Sequence, residues 1–126
     1  MSKFIEKVIQ AVRTVPHGQV ASYGQIALMI GTPRAALQVG YILHDYGDDG
    51  TTPWWRIINK EGYISTNCEE HTSLMQKDLL EKEGIKVSKE LQVDMSVFRF
   101  IPDAELLKKL ELDDRYIELL YNKYLN

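Results

Sequence analysis

One cysteine, three histidines and two adjacent tryptophans carry the most distinctive chemistry in this sequence. A cysteine attacks only as the thiolate, which a helix N-terminus or a nearby cation favours. Cys68 has neither. It follows Asn67 and precedes Glu69 and Glu70, and it reads as a loop or packing residue rather than a nucleophile. His17, His44 and His71 lie at unrelated places and match no zinc-ligand spacing, and no glycine-rich phosphate loop is present. Neither a metal nor a cofactor is expected. The tryptophans stand in Pro53-Trp54-Trp55-Arg56-Ile57-Ile58-Asn59. A strand alternates its faces, so two neighbouring indoles cannot both enter one core. One of them lines a cleft or lies at the surface; the plainer alternative is one core and one half-buried tryptophan. Pro53 cannot donate to a central ladder, so the segment enters as an edge or a bend.

The elements that must hold these residues follow from the hydrophobic pattern. Phe4, Val8, Ala11 and Val12, with Ile5 and Ile9 beside them, predict a first helix over 3–14, stopped by Pro16-His17-Gly18. Gln19-Val20-Ala21 is a short extended piece. Ser22 is an N-cap for a second helix from Tyr23 to Ile30, ended by Gly31. Thr32 followed by Pro33 predicts the cap of a third helix running to about His44. Two helices joined by a glycine turn make a helix-turn-helix pattern, which ordinary helical packing also produces. Beyond the acidic loop 45–50, Trp54 to Asn59 and Tyr63-Ile64-Ser65 flank the turn Lys60-Glu61-Gly62 and predict a β-hairpin, or wing. A fourth helix is expected over Thr72 to Glu83, with Gly84 at its C-terminus. Residues 85–100 alternate like a strand at Val93, Met95 and Val97 but stay ambiguous. Asp103 to Leu110 and Asp113 to Tyr124 read as two helices with acidic first turns.

The chain has 126 residues, 44% of them hydrophobic and 26% charged, as in an ordinary globular domain. No apolar run is long enough to span a membrane, and Met1-Ser2-Lys3-Phe4 does not open a signal peptide. A single cysteine excludes an internal disulfide and fits a reducing cytoplasm. The formal net charge is −3, unevenly spread. Residues 1–60 hold six Lys/Arg against four acids, and residues 61–126 nine against fourteen.

Three blocks resemble a known family: Val20-Ala21-Ser22-Tyr23-Gly24-Gln25-Ile26-Ala27, Thr32-Pro33-Arg34-Ala35-Ala36-Leu37-Gln38-Val39-Gly40, and Pro53-Trp54-Trp55-Arg56-Ile57-Ile58. In order and spacing they are similar to the DNA-binding domain of O6-alkylguanine-DNA alkyltransferases. The likeness covers about residues 3–87, with residues 101–126 outside it. Those enzymes carry a Pro-Cys-His-Arg motif whose cysteine accepts the alkyl group and whose histidine activates it. Trp54 and Trp55 occupy these two positions here. An indole offers no thiolate and no base at neutral pH, so alkyl transfer by that route is excluded. The alkyltransferase-like subfamily also has tryptophan at the cysteine position, and the resemblance places this chain with it.

That resemblance implies a mainly α, winged-helix-like helix-turn-helix domain over residues 1–100, with a short β-hairpin wing and a helical extension over 101–126. It implies no enzyme activity. The expected function is recognition of O6-alkylguanine in duplex DNA by nucleotide flipping, flagging the lesion for nucleotide excision repair proteins. The expected state is a monomer. Tyr23, Trp54, Trp55 and Ser65 are the expected lesion pocket. Ser22, Tyr23, Thr32, Arg34, Ala35, Leu37 and Gln38 are the expected DNA contacts, with Tyr23 beside the phosphate 3′ of the flipped nucleotide. Arg56 is expected to bond nearby backbone, and Glu83 to have lost the histidine it orients in relatives. Read without the family, Tyr23 is an exposed helix-start residue and Arg56 a surface ion pair.

Two positions depart from the family. Its intercalating arginine is Leu37 here, an apolar wedge without a guanidinium. The asparagine after its recognition helix is Tyr46. With Arg34, Arg56 and Lys60 as the basic footprint, electrostatic affinity is expected to be modest. Two other readings stand beside this one: a diverged interaction module whose acidic terminal helices bind a protein, and an active methyltransferase using Cys68.

Overall fold

A computed structural model describes residues 2–66 and 71–125 of the chain. Cys68 and the loop reading attached to it lie outside the described residues.

Ser2 accepts the Ile5 amide at 3.2 Å and starts α1 (Lys3–Arg13), which buries Val8, Ile9, Ala11 and Val12 along one stripe. After the turn at Gly18 the chain extends into β1 (Ala21–Ser22). The Ser22 hydroxyl then caps α2 (Tyr23–Met29) by accepting the Gln25 amide at 3.0 Å. The next helix, α3 (Ala36–Tyr46), begins later than the Thr32-Pro33 pair suggests. The Thr32 amide bonds back to the Ala27 carbonyl, and its own carbonyl accepts the Ala35 amide. That closes a β-turn with Pro33 at its second position, where its fixed φ is welcome. The Thr-Pro pair thus serves a turn rather than a cap, and no side chain caps α3.

The wing is also built differently. Trp54–Arg56 wind into one turn of 3-10 helix, which leaves only β2 (Ile57–Ile58) extended. β2 pairs in parallel with β1, Ala21 opposite Ile57 and Ser22 opposite Ile58. Its hydrogen-bonding edge is therefore used across the domain rather than by a hairpin partner. The chain still reverses at Lys60-Glu61-Gly62. The Asn59 side chain accepts the Glu61 and Tyr63 amides there, at 3.0 and 2.9 Å. Tyr63 then bridges to Gln92, and the Val93 amide bonds the Gly62 carbonyl. Gly62 has φ +92°, and any Cβ there would collide with the Val93 carbonyl oxygen, so this turn requires glycine.

Thr72 caps α4 (Ser73–Lys82), and Gly84 follows it with φ +85°. Residues 85–100 are less strand-like than their alternation suggests. Val87 bridges Val93, but Asp94 then caps a helical turn, α5 (Met95–Phe98), by accepting the Ser96 amide. Asp103 and Asp113 cap α6 (Ala104–Lys109) and α7 (Asp114–Lys123).

Two apolar clusters result. The larger joins α1, α2 and α3 to the C-terminal helices, with Val12, Ile26, Val39, Leu107, Ile117 and Leu120 among its members. The smaller gathers Val20, Ile58, Ile64, Leu80, Ile85, Val87 and Val93. The Trp54–Arg56 turn lies where they meet, with Trp55 packed against both. Among the described residues no helix is long and apolar enough to cross a membrane.

Candidate nucleic-acid interface

The Trp54–Arg56 turn is held from two sides. From α1, Arg13 donates to Asp49 at 2.9 Å and to Thr51 at 2.8 Å, while the Asp49 carboxylate accepts the Thr51 and Thr52 amides. Burial alone raises the Asp49 pKa, but these bonds outweigh it and hold the carboxyl below its usual range. This orders the loop that delivers Pro53. From α4, the buried Gln76 amide donates to the carbonyls of Trp55 and Ile57 at 2.9 and 3.0 Å. The turn thus has little freedom, and its two indoles diverge at 87° with ring centres 6.0 Å apart.

Trp54 points toward α3. It is 7% exposed and forms part of a cavity of about 210 Å³ with Tyr23, Gly40, Leu43, His44, Thr66 and His71. The His71 imidazole stacks on its face, with centroids 3.9 Å apart and planes 19° from parallel. Next to this cavity lies an outer groove of about 470 Å³, lined by Tyr23, Gly24, Ala36, Leu37, Gly40, Asn59, Lys60 and Ser65. Tyr23 and Gly40 belong to both spaces and form the wall between them. A third hollow, at the α2–α3 turn, is lined by Thr32, Pro33, Arg34, Ala35 and Gln38. Leu37 is 64% exposed, a large apolar side chain standing out of the first turn of α3. Among the described residues no Asp or Glu lines any of the three hollows, although Asp45 lies 3.0 Å from the lining His44 and Asp48 3.8 Å from the lining His71.

Trp55 points the other way. Its indole N–H donates to Glu83 at 2.7 Å, and it lines neither the cavity nor the groove. Its expected place in the lesion pocket is therefore corrected. The expectation that Glu83 has lost its partner is corrected with it, because an indole N–H donates to a carboxylate as an imidazole N–H does. Glu83 also accepts from Arg56 and from the Gly18 amide. Burial by itself raises its pKa; the bonds from Arg56, Gly18 and Trp55 outweigh this and lower it. Arg56 donates to the Val15 carbonyl at 2.9 Å, as a residue that bonds nearby backbone should. Its pair with Glu83 is largely buried, side chains 15% and 6% exposed, so it is neither a surface ion pair nor part of a DNA footprint.

The structure distributes the remaining expected contacts unevenly. Tyr23 lies at the shared wall, and Ser65 and Leu37 lie in the outer groove. Thr32, Arg34, Ala35 and Gln38 surround the third hollow, and Arg34 belongs to the turn before α3 rather than to the helix face that carries Leu37. Ser22 is buried, its hydroxyl oxygen engaged as the α2 cap. Tyr46 ends α3, exposed. His71 was missed by sequence reasoning. It precedes the Thr72 cap of α4, and no periodicity or motif marks it as the ring that covers Trp54.

Comparison with known proteins bears on this arrangement. Residues 3–85 match the family described as 6-O-methylguanine DNA methyltransferase, DNA binding domain. A DNA base-flipping protein of Escherichia coli is 37% identical over 97 residues, covering 77% of this chain and 74% of that protein. Alkyltransferase-like protein 1 of Schizosaccharomyces pombe is 39% identical over 87 residues, covering 69% of this chain and 81% of that protein. The crystal structure of S. pombe Atl1 in complex with damaged DNA containing O6-carboxymethylguanine superposes with a TM-score of 0.75 at 34% identity, over 81% of this chain and 98% of that one.

Proposed function

Because the chain belongs to the 6-O-methylguanine DNA methyltransferase DNA-binding-domain family, with base-flipping and alkyltransferase-like proteins among its relatives, we propose that it binds an O6-alkylguanine flipped out of duplex DNA and leaves the alkyl group in place. One observation carries the reading: an aromatic-floored cavity opens beside a groove from which an uncharged, exposed Leu37 protrudes. Ligand pockets usually start near ~300 Å³, so the inner cavity is too small for a whole nucleotide. The flipped nucleotide then uses the outer groove as well, with its base edge and O6 substituent toward Trp54.

Each element has a task in this reading. The Arg34 guanidinium contacts a phosphate beside the α2–α3 turn, with Thr32, Ala35 and Gln38 along the same backbone. Tyr23, on the wall between groove and cavity, stands where the rotated nucleotide passes. Leu37 enters the stack where the guanine left, as apolar wedges do at distorted base steps. Trp54 walls the pocket and supplies no nucleophile, and Trp55 supplies no base, since indole is a donor only. The lesion stays intact, so its removal falls to another activity; nucleotide excision repair proteins are the partners this implies. One copy of the chain contains the whole cavity and groove, so a monomer suffices. The single cysteine suits a cytoplasmic setting. The interaction-module reading rests on Leu37 and the acidic terminal helices; these helices bury Leu107, Leu110, Ile117 and Leu120 in the chain's own core and leave Leu119 exposed.

A duplex with 2-aminopurine next to a single O6-methylguanine tests the flipping step. The fluorescence of 2-aminopurine rises when its stacking neighbour leaves. The proposal requires that rise on adding protein, with no radiolabelled methyl group transferred to the chain. Binding without the rise, or label on the protein, would contradict it.

A further inference from the structure

We infer that Tyr116 and Leu112 are positioning residues for DNA binding: from the C-terminal helices they hold the α2–α3 turn in the shape that brings Arg34 to a phosphate. The inference rests on the phosphate contact proposed for Arg34 above. The turn starts where α2 ends. Gly31 takes φ +80°, its amide donates to the Leu28 carbonyl at 3.1 Å, and the Thr32 amide donates to the Ala27 carbonyl at 3.0 Å. This pair of bonds is a Schellman cap, and it sets the direction in which the chain leaves the helix. Thr32, Pro33, Arg34 and Ala35 follow at once. α3 then begins without a side-chain cap, so the turn takes its direction from the α2 side.

Two residues from outside the helix-turn-helix close on that cap. The Leu28 carbonyl oxygen has a second lone pair, and the Tyr116 hydroxyl donates to it at 2.6 Å. Leu112 lies over Gly31: a Cβ on the glycine would stand 3.6 Å from its Cδ2. The end of α6 brings Leu112 there. Glu111 takes φ +69°, a left-handed backbone uncommon outside glycine, and the Leu112 amide turns back to the Leu107 carbonyl at 3.3 Å. Leu107 and Ile117, on either side of this loop, are buried in the cluster that holds Ile26 and Val39, so the loop is not free to swing away. Glu111, Asp113 and Asp114 flank Leu112 and are exposed. A loop with this charge does not bind phosphate itself and acts through the turn it braces. The family match ends at residue 85, so the brace lies outside the part of the chain that the family describes.

The test is a double-mutant cycle on DNA affinity. Tyr116→Phe keeps the ring and removes the bond to Leu28. It should weaken an undamaged duplex and a matched O6-methylguanine duplex alike, by about threefold to tenfold, the span of one net hydrogen bond. In an Arg34→Ala background the same change should do almost nothing, because the contact it positions is already gone. Leu112→Ala should behave in the same way. Amide hydrogen exchange of the DNA-free protein gives a second reading: Thr32 and Ala35 should exchange faster in Tyr116→Phe, and the amides of α1 should not. Parental DNA affinity in both variants overturns the inference. So does an equal loss with and without Arg34, which would mean that Tyr116 acts elsewhere. If Arg34→Ala itself leaves affinity unchanged, the phosphate contact fails and this inference falls with it. If the parent binds both duplexes equally, the lesion-binding reading fails while the cycle still decides this one.

Discussion

Glu83 holds three pieces of chain together: the Gly18 turn, the Trp55–Arg56 segment and the end of α4. A carboxylate this well supplied with donors belongs to the architecture, and its cost when removed is large because Arg56 is left charged and mostly buried. Glu83→Gln should destabilise the protein at pH 7 by about 3 kcal/mol, read from urea unfolding. The pH dependence has a definite sign. The folded-state pKa lies below the ordinary glutamate value, so the stabilisation is complete above about pH 4.3 and is lost as pH falls through the folded value. The stability gap between parent and Glu83→Gln should therefore close in acid and stay constant from neutral pH upward. Trp55→Phe removes one donor to this carboxylate and nothing from the cavity. It should cost about 1–2 kcal/mol of stability, yet leave the affinity for lesion DNA close to that of the parent. A large loss of lesion affinity in Trp55→Phe at full folding would return Trp55 to the pocket.

At the scale of elements, the α2–α3 unit separates charge from wedge. Arg34 sits on the turn and Leu37 on the helix. Arg34→Ala should weaken damaged and undamaged duplexes together and reduce the slope of log affinity against log salt by about one unit. Leu37→Ala should leave the slope alone and weaken lesion binding selectively, by about 1–3 kcal/mol. Equal losses on both duplexes for Leu37→Ala would make it a general contact rather than a wedge. Helix α2 and its cap at Ser22 were legible in the sequence because cap and apolar period agree there, whereas the caps at Ser2 and Thr72 appear only in the structure. The start of α3 was not, since Thr-Pro serves equally as a cap or a turn, and the hydrogen bond from Thr32 to Ala27 decides between them. The parallel pairing of β1 with β2 was also hidden. Two residues carry no periodicity, and their partners are far apart in sequence. For the same reason the site was only half visible. Tyr23, Trp54 and Leu37 stand out by type and by family position, whereas His71 acquires its place from the docking of α4.

At the scale of the whole molecule, the C-terminal helices are part of what holds the interface. The Tyr116 hydroxyl donates to the Leu28 carbonyl in α2 at 2.6 Å. Arg99 donates to Gln25 of α2 at 3.0 Å and to the Tyr124 carbonyl at 2.7 Å, tying both ends of this region to the recognition unit. Leu107 and Leu120 are fully buried in the same cluster as Ile26 and Val39. Leu107→Ala should cost about 2–5 kcal/mol in thermal or urea unfolding, although it touches no DNA. A neutral Leu107→Ala would mean the tail merely rests on the domain. Among the described residues, Arg34 and Lys60 are the Lys and Arg side chains that line the three hollows. Affinity for DNA in general should be weak, and selectivity should come from the cavity. The ratio of dissociation constants for two duplexes identical except for one O6-methylguanine, measured at physiological salt, tests this most directly. The lesion should bind tighter by tenfold or more, about 1.4 kcal/mol, and the ratio should survive added salt while both affinities fall. Equal affinity for the two duplexes at every salt concentration would contradict lesion recognition by this chain.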